Sequence, residues 1–213
     1  MTEKIFLGGG GNKEASKTID DLFIENIQKR RLKKVIYIPI ALTSKPYSEC
    51  LKWFSSIFEG RVQNIEMWED LKEKSLNKME NRFAVYFGGG NTVGLMNLIN
   101  ASGFDKEIKN FVASGGLIYG GSAGAIILGE DIRTAVEFAG SKLNQGLDLT
   151  GGYSISCHYG PIDSDRLTEL RGHLDSDIIA IEENAGVIFD NSKIITVGPG
   201  SVYLFSRKER IKL

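Results

Sequence analysis

The stretch LIYGGSAGAIIL, residues 117–128, places a serine among glycines between two apolar runs. It predicts a buried strand, a tight turn that carries Ser122, and a helix. The segment GGSAG, residues 120–124, fits the G-x-S-x-G pattern of a nucleophile elbow, in which glycines give clearance and allow the unusual backbone angles of a sharp turn. The free N–H groups at the start of the following helix would stabilise an anion formed there. Ser122 is therefore the candidate nucleophile.

Apolar runs and helical patterns alternate before this turn. The predicted strands are Ile5–Leu7, Lys34–Ala41, Val62–Met67 and Phe83–Phe87. The predicted helices are Ser16–Lys29, Tyr47–Phe58, a charged stretch from Trp68 to Met79, a helix containing Val93 to Ile99, and Phe104–Ala113. This alternation predicts an α/β fold with a doubly wound, mainly parallel sheet sandwiched by helices.

The chain after the turn has a different pattern. We predict a short segment at Asp131–Phe138, a turn-rich passage at Leu147–Gly152, a strand Tyr153–Cys157 that leads to His158, and a polar helix Arg166–Leu174. Turn residues then separate four short strands, Ile178–Ile181, Gly186–Phe189, Lys193–Val197 and Val202–Phe205. These strands predict a C-terminal antiparallel meander on the sheet edge, within a single domain that spans residues 1–213.

Composition restricts the possible functions. The 213 residues are 42% hydrophobic and carry a formal net charge of -1, which is typical of a soluble globular protein and predicts neither nucleic acid nor membrane partners. Two distant cysteines and no signal-peptide pattern predict a cytoplasmic location. With two histidines and no H-E-x-x-H motif, we expect no metal and no cofactor. We expect a monomer or a small homo-oligomer.

Three glycine-rich turns, Gly8–Asn12, Gly88–Thr92 and Gly120–Gly124, each follow a predicted strand. Any one could simply be a tight strand-to-helix turn. Because ligands bind beyond the carboxyl ends of parallel strands, three such turns at one edge predict a site there. His158, which follows a short strand, is the candidate base, whereas His173 lies in a polar helix and is expected at the surface.

The remaining catalytic groups are less defined. The spacing of the acidic residues in the sequence does not identify which of them would orient the histidine. An oxyanion would be bound by the N–H of Ala123 and by one from Gly89 or Gly90. Cys157 lies on a predicted strand and is interpreted as a packing residue rather than a nucleophile. The candidate acids are Asp131, Glu137, Asp163 and Asp165.

Four segments together resemble the dipeptidase E family of serine peptidases, which is related to the cyanophycinases. They are FGGGNT (87–92), GGSAGA (120–125), DIRTAVE (131–137) and SCHYG (156–160). The resemblance implies a sandwich like that of class I glutamine amidotransferases, with Ser122 as nucleophile and His158 as base. It puts Glu137 where the family has an aspartate as the acid. It further implies Gly90 and Ala123 as oxyanion donors and Gly89 and Asn91 as substrate contacts.

The main hypothesis is a serine exopeptidase that hydrolyses short peptides through an acyl-enzyme. The resemblance implies removal of an N-terminal aspartate, whose carboxylate would need a cation, and the candidates are Arg133, Arg166 and Arg171. One alternative is hydrolysis of another amide, an isopeptide or an ester. Another is a non-catalytic anion-binding module, although the glycine loops have neither a Walker lysine nor a G-x-G-x-x-G fingerprint with an acidic partner.

Overall fold

The computed structural model describes residues 3–77, 82–138, 143–191 and 193–213. Within these ranges the strands are β1 (Lys4–Gly8), β2 (Lys34–Ile38), β3 (Asn64–Met67), β4 (Phe83–Phe87), β5 (Leu117–Gly121), β6 (Tyr153–Ser156), β7 (Asp177–Ile181), β8 (Gly186–Asp190), β9 (Lys193–Val197), β10 (Val202–Phe205) and β11 (Arg210–Lys212). In the described residues they form a seven-stranded sheet of order β3-β2-β4-β5-β1-β8-β9 and a four-stranded sheet of order β11-β10-β7-β6. The strands from β3 to β1 are parallel.

Helices cover both faces of the larger sheet. They are α1 (Lys13–Lys29), α2 (Tyr47–Phe58), α3 (Thr92–Ser102), α4 (Phe104–Ala113), α5 (Ala123–Leu128) and α6 (Ser164–His173). Successive side chains of a strand point to opposite faces. Phe6 therefore packs in an apolar cluster with α1 and α2, whereas Leu7 packs with α3, α4 and α5. The predicted α/β fold with a mostly parallel sheet flanked by helices is confirmed. Among the described helices, none combines the length and apolarity needed to span a bilayer.

The glycine-rich turns meet at one edge of the sheet, as predicted. Gly8, the last residue of β1, lies opposite Gly121 at the end of β5. Phe87, the last residue of β4, lies opposite Gly120. Because these three strands are parallel neighbours, the loops that follow them lie side by side.

The predicted C-terminal meander is wrong in its pairing. Strands β8 and β9 form an antiparallel extension of the main sheet on β1, but β7 and β10 belong to the second sheet. In that sheet β7 also pairs in parallel with β6. The reason is burial on both faces of β7: Ile178 packs with Leu167 and Phe205, and Ile179 joins the large cluster around α5.

We predicted a helix in the charged stretch from Trp68 to Met79. The structure instead has turns and irregular backbone up to residue 77, and Met79 lies outside the described residues. The carboxylate of Glu107, on α4, accepts hydrogen bonds of 3.0 Å from the N–H groups of Leu76 and Asn77. Asp70 similarly accepts from the N–H of Lys72 at 2.8 Å. Side chains therefore satisfy backbone donors that a helix would pair with its own carbonyls.

Candidate active site

Ser122 lies between the end of β5 and the start of α5, with φ 52° and ψ −115°. A positive φ is strained for a residue with a side chain, and such strain is found at functional sites. The surrounding glycines make the turn possible because a Cβ on Gly120 would lie 2.3 Å from the carbonyl oxygen of Gly124. The N–H of Ser122 donates to the carbonyl of Gly8 at 3.1 Å. The predicted elbow is therefore present, and β1 holds it in place.

His158 meets this serine directly. Its Nε2 lies 2.7 Å from Oγ of Ser122, although the two residues are 36 positions apart in the chain. His158 also has a positive φ, 55°, and its N–H donates to the carbonyl of Gly9 at 2.9 Å. The last residue of β1 thus supports the serine, and the first residue after β1 supports the histidine.

The carboxylate that contacts this histidine is Glu183, whose Oε1 lies 2.8 Å from Nδ1 of His158. Glu183 follows β7, the parallel neighbour of β6, so the segments after both strands emerge at the same edge. The neighbouring Glu182 accepts a hydrogen bond from the N–H of Ser201 at 2.8 Å, which helps to fix this turn. Sequence reasoning missed Glu183. The available signal was an acidic residue directly after a buried strand.

Glu137, the acid that the resemblance implied, makes a different contact. Its Oε1 accepts a hydrogen bond of 2.8 Å from the N–H of Thr92, the first residue of α3. The structure therefore brings Glu137 to the Gly88–Thr92 loop, while Glu183 takes the contact with Nδ1 of His158. A carboxylate at this helix N-terminus is electrostatically favourable, because the first N–H groups of a helix lack intrahelical acceptors.

Among the described residues, none of the other three candidate acids has a hydrogen bond or ion pair with His158. Asp131 pairs with Arg133 at 2.7 Å. Asp163 accepts from the N–H of Gly160 at 2.9 Å, and Asp165 lies in the first turn of α6. His173, at the end of α6, is exposed as predicted.

The start of α5 and the loop that follows β4 both lie next to Ser122. Ala123 begins α5, so its N–H has no acceptor within the helix. Gly90 has φ 138°, and a Cβ there would lie 2.1 Å from the carbonyl oxygen of Ala41. In the described part of the chain, the N–H groups of Gly89 and Gly90 have no protein acceptor. The side chain of Asn91 caps α3, accepting from the N–H of Gly94 at 2.5 Å, and its expected contact with a substrate stays a prediction.

A pocket of about 390 Å³ opens beside these groups. Gly89, Gly90, Ser122 and His158 line it, and aromatic rings form much of the rest of the lining. Rings of Tyr86 and Tyr119 stack at 4.2 Å between centroids, and burial raises the pKa of both hydroxyls, so they stay protonated. The other side chains that line the pocket are those of Ser16, Tyr37, Leu42, Lys45, Glu49, Cys50, Trp53, Tyr86 and Tyr119.

A buried carboxyl lies behind this lining. Asp20 is only 1% exposed, and Oγ of Ser16 donates to its Oδ2 at 2.7 Å. Within the described residues, its Oδ1 has no hydrogen-bond partner. Burial raises the pKa of Asp20 from its ordinary value of 3.8 to about 6, against the opposing effect of hydrogen bonds from Ser16 and Tyr119.

The three arginines considered for a substrate carboxylate do not line the pocket. Arg133 pairs with Asp131 at 2.7 Å and Arg171 with Asp177 at 2.6 Å. Arg166 donates to the carbonyl of Thr134 at 3.3 Å. Among the described lining residues, Lys45 is the cation.

The described residues contain neither an ionised thiol at Cys157 nor a cluster of side chains suited to a metal ion. The Cys157 thiol is buried, 3.6 Å from the carbonyl oxygens of Gly8 and Ser122, and burial raises its pKa. It therefore remains a thiol and packs behind the elbow, as predicted. In the ranges that the structure covers, no three His, Cys, Asp or Glu side chains are grouped to hold a metal ion.

Gly10 leaves room for the imidazole. A Cβ added at Gly10 would lie 2.2 Å from Cε1 of His158. The backbone of Gly10 also has a φ of 105°, which favours glycine. Gly10→Ala should displace the ring and lower kcat by about a hundredfold, because small misplacements of catalytic groups are costly. Gly60→Ala is the matched control: φ there is 74°, but no described atom lies within 4 Å. Equal kcat values for the two variants, measured on one dipeptide, would contradict this role of Gly10.

A serine hydroxyl presented by a sharp turn at the carboxyl edge of an α/β sheet, in contact with an imidazole, is the arrangement of serine hydrolases. The sequence model of peptidase family S51 matches residues 5–197. The chain belongs to peptidase family S51, and it is a serine peptidase.

Individual relatives agree with this assignment. The chain is 26% identical over 194 residues to a peptidase E of Nostoc sp. (strain PCC 7120), which covers 85% of this chain and 79% of that protein. It is 29% identical over 195 residues to an uncharacterized peptidase of Listeria monocytogenes serovar 1/2a, covering 84% and 93% of the two chains.

Solved structures share the fold. A peptidase E candidate from Listeria monocytogenes EGD-e superimposes with a TM-score of 0.70 at 22% identity, covering 93% of this chain and 99% of that one. A peptidase from an acI-B1 actinobacterium has a TM-score of 0.74 at 18% identity, covering 100% and 94%.

Proposed function

We propose that the protein is a serine exopeptidase that hydrolyses short peptides through an acyl-enzyme, with Ser122, His158 and Glu183 as its triad. The observation that carries the proposal is the continuous chain of contacts, 2.7 Å from Oγ to Nε2 and 2.8 Å from Nδ1 to Oε1. A hydroxyl, an imidazole and a carboxylate in contact in this order make a serine hydroxyl nucleophilic.

Each group has one role in the reaction. Oγ of Ser122 attacks the scissile carbonyl carbon while Nε2 of His158 takes the hydroxyl proton. The resulting oxyanion is held by the N–H groups of Ala123 and Gly90. His158 then gives the proton to the leaving amine as the C–N bond breaks, and a water molecule hydrolyses the ester by the same route. Glu183 keeps the proton on Nδ1 and stabilises the imidazolium.

Glu137 has a positioning role in this scheme. By accepting the N–H of Thr92 at 2.8 Å, it anchors the start of α3 and with it the loop that carries Gly89 and Gly90. The distance from this loop to the nucleophile is short, since a Cβ on Gly89 would lie 3.2 Å from Cβ of Ser122. Glu137 therefore acts on the oxyanion donors rather than on the histidine.

The preference for short peptides is supported by the family and by a pocket of about 390 Å³, which suits one substrate residue. The N-terminal aspartate that the resemblance implies would need a cation beside Ser122. Lys45 could serve, but Glu49 lines the same pocket and opposes it.

The proposal is tested by labelling and turnover together. A fluorophosphonate probe should form one adduct, located at Ser122 by peptide mass spectrometry. A panel of neutral, acidic and basic dipeptides, β-aspartyl peptides and amino-acid esters should include dipeptides that are hydrolysed. Hydrolysis confined to isopeptides or esters would favour a different amide or ester hydrolase, and absence of both labelling and turnover would reject the proposal.

A further inference from the structure

Three tyrosines line the pocket beside Ser122. Tyr37, Tyr86 and Tyr119 lie opposite one another on the parallel strands β2, β4 and β5, so their side chains project from the same face of the sheet. A Cβ on Gly88 would lie 3.4 Å from the hydroxyl of Tyr37, and one on Gly121 would lie 3.3 Å from that of Tyr86. The rings therefore reach the glycine turns around the nucleophile.

The lining offers no buried charge to a substrate side chain. Burial raises the pKa of all three tyrosine hydroxyls, so they stay protonated and neutral. Apart from His158, the charged residues among the described lining are Lys45 and Glu49, which have opposite signs. Both are exposed, so water screens their charges. An acidic or a basic side chain would therefore lose hydration in this pocket without gaining a buried counter-charge.

Apolar groups add to the tyrosine rings. Leu42, Cys50 and Trp53 also line the pocket, and the ring centroids of Trp53 and Tyr37 are 6.4 Å apart. Leu42 and Trp53 are only partly buried, so they keep apolar surface that a ligand can cover. The ring of Tyr37 stacks on that of Phe54 at 4.2 Å between centroids, which holds this part of the lining in place. A large apolar group would therefore gain by leaving water for this pocket.

The strand order relates this lining to the reaction. In the main sheet, β2 and β4 lie on one side of β5, and β1 lies on the other. Leu42 follows β2, and the carbonyl of its neighbour Ala41 accepts the N–H of Asn91 at 2.8 Å, in the loop of the proposed oxyanion donors. His158 is bonded instead to Gly9, directly after β1. Because the imidazole protonates the leaving amine, a side chain on the β2 side belongs to the residue whose carbonyl is attacked.

We infer that the pocket binds a large apolar side chain, of the phenylalanine class, on the residue that acylates Ser122. Trp53 and Leu42 are the specificity-determining residues. An aromatic side chain suits them best, because aromatic rings pack favourably edge to face or in offset stacks. The inference rests on the proposed function, and it makes an N-terminal aspartate a poor substrate.

The first test compares wild-type kcat/KM for phenylalanyl-alanine with those for alanyl-, aspartyl- and lysyl-alanine. Burial of the phenyl ring should favour phenylalanyl-alanine over each of them by about tenfold or more. A smaller advantage over any one of the three would overturn the inference. Alanyl-phenylalanine tests the side of the reaction: if it is hydrolysed as well as phenylalanyl-alanine or better, the pocket does not select the acylating residue.

The second test removes apolar surface from the pocket. Trp53→Ala should lower the ratio of kcat/KM for phenylalanyl-alanine over alanyl-alanine by about fivefold or more. Leu51→Ala is the matched control, since Leu51 is an exposed apolar residue of the same helix, outside the described lining, and its ratio should equal that of the wild type. A general structural defect in Trp53→Ala would lower both rates and leave the ratio unchanged, and that result counts against the inference. If Trp53→Ala does not fold, Leu42→Ala should lower the same ratio.

Failure of the inference can be separated from failure of the proposed function. Calorimetry with the Ser122→Ala variant measures binding of the same dipeptides without turnover. Tighter binding of phenylalanyl-alanine than of aspartyl-alanine supports the specificity even if the fluorophosphonate does not label the wild type. Labelling of Ser122 together with tighter binding of aspartyl-alanine would keep the peptidase and reject the apolar preference.

Discussion

Ser122→Ala is expected to lower kcat for dipeptide hydrolysis by about ten-thousandfold to a millionfold, because it removes the atom that forms the acyl-enzyme. Residual turnover would come from the oxyanion donors and substrate binding alone. Alanine keeps the Cβ and removes the hydroxyl, whose contact is with Nε2 of His158 at 2.7 Å. The fold should therefore be preserved. Steady-state kinetics and fluorophosphonate labelling measure the loss, and thermal melting checks the fold.

The control for this variant is Ser102→Ala at the exposed end of α3, where the hydroxyl donates to the carbonyls of Leu98 and Ile99. Its kcat and labelling should match the wild type. If Ser122→Ala keeps more than a hundredth of the wild-type kcat, Ser122 is not the nucleophile, whatever its geometry.

Glu183→Gln should lower kcat by about a hundredfold to ten-thousandfold with a smaller change in KM. An amide replaces a carboxylate of nearly the same shape, so the imidazolium that forms during attack loses its counter-charge and the productive tautomer is less favoured. The contact concerned is the 2.8 Å approach of Oε1 to Nδ1 of His158. Full kinetics over a pH series would separate a loss of kcat from a loss of binding.

Glu137→Gln provides the decisive comparison, because the family resemblance implied Glu137 and the geometry favours Glu183. A glutamine oxygen can still accept the N–H of Thr92, so this change should lower kcat by about tenfold at most. A larger loss in Glu137→Gln than in Glu183→Gln would reverse the two assignments.

The parts of the site that sequence predicted are those encoded by neighbouring residues. The elbow needs glycines on both sides of Ser122, and they are adjacent in the chain. The edge position of the three glycine loops followed from the alternation of strands and helices, since parallel strands end at the same edge. His158 was identified because the chain has two histidines and only this one follows a strand.

The parts that sequence missed depend on contacts between distant segments. Glu183 reaches His158 because β7 pairs in parallel with β6, and nothing in either strand's own sequence specifies that partner. The prediction of a C-terminal meander was wrong for the same reason. A short apolar strand has the same sequence pattern whichever of the two sheets it joins. The sequence analysis did not single out Asp20, which is buried because α1 packs against the sheet.

By itself, then, the amino-acid order determined the layered α/β fold, through the periods of its strands and helices, and the serine turn, through adjacent glycines. It indicated His158 because, of the two histidines, only this one directly follows a predicted strand. The tertiary structure alone decided which carboxylate contacts the imidazole, which one anchors the start of α3, and what lies behind the pocket. Those choices depend on strand pairing and burial, which arise when segments far apart in the chain pack together.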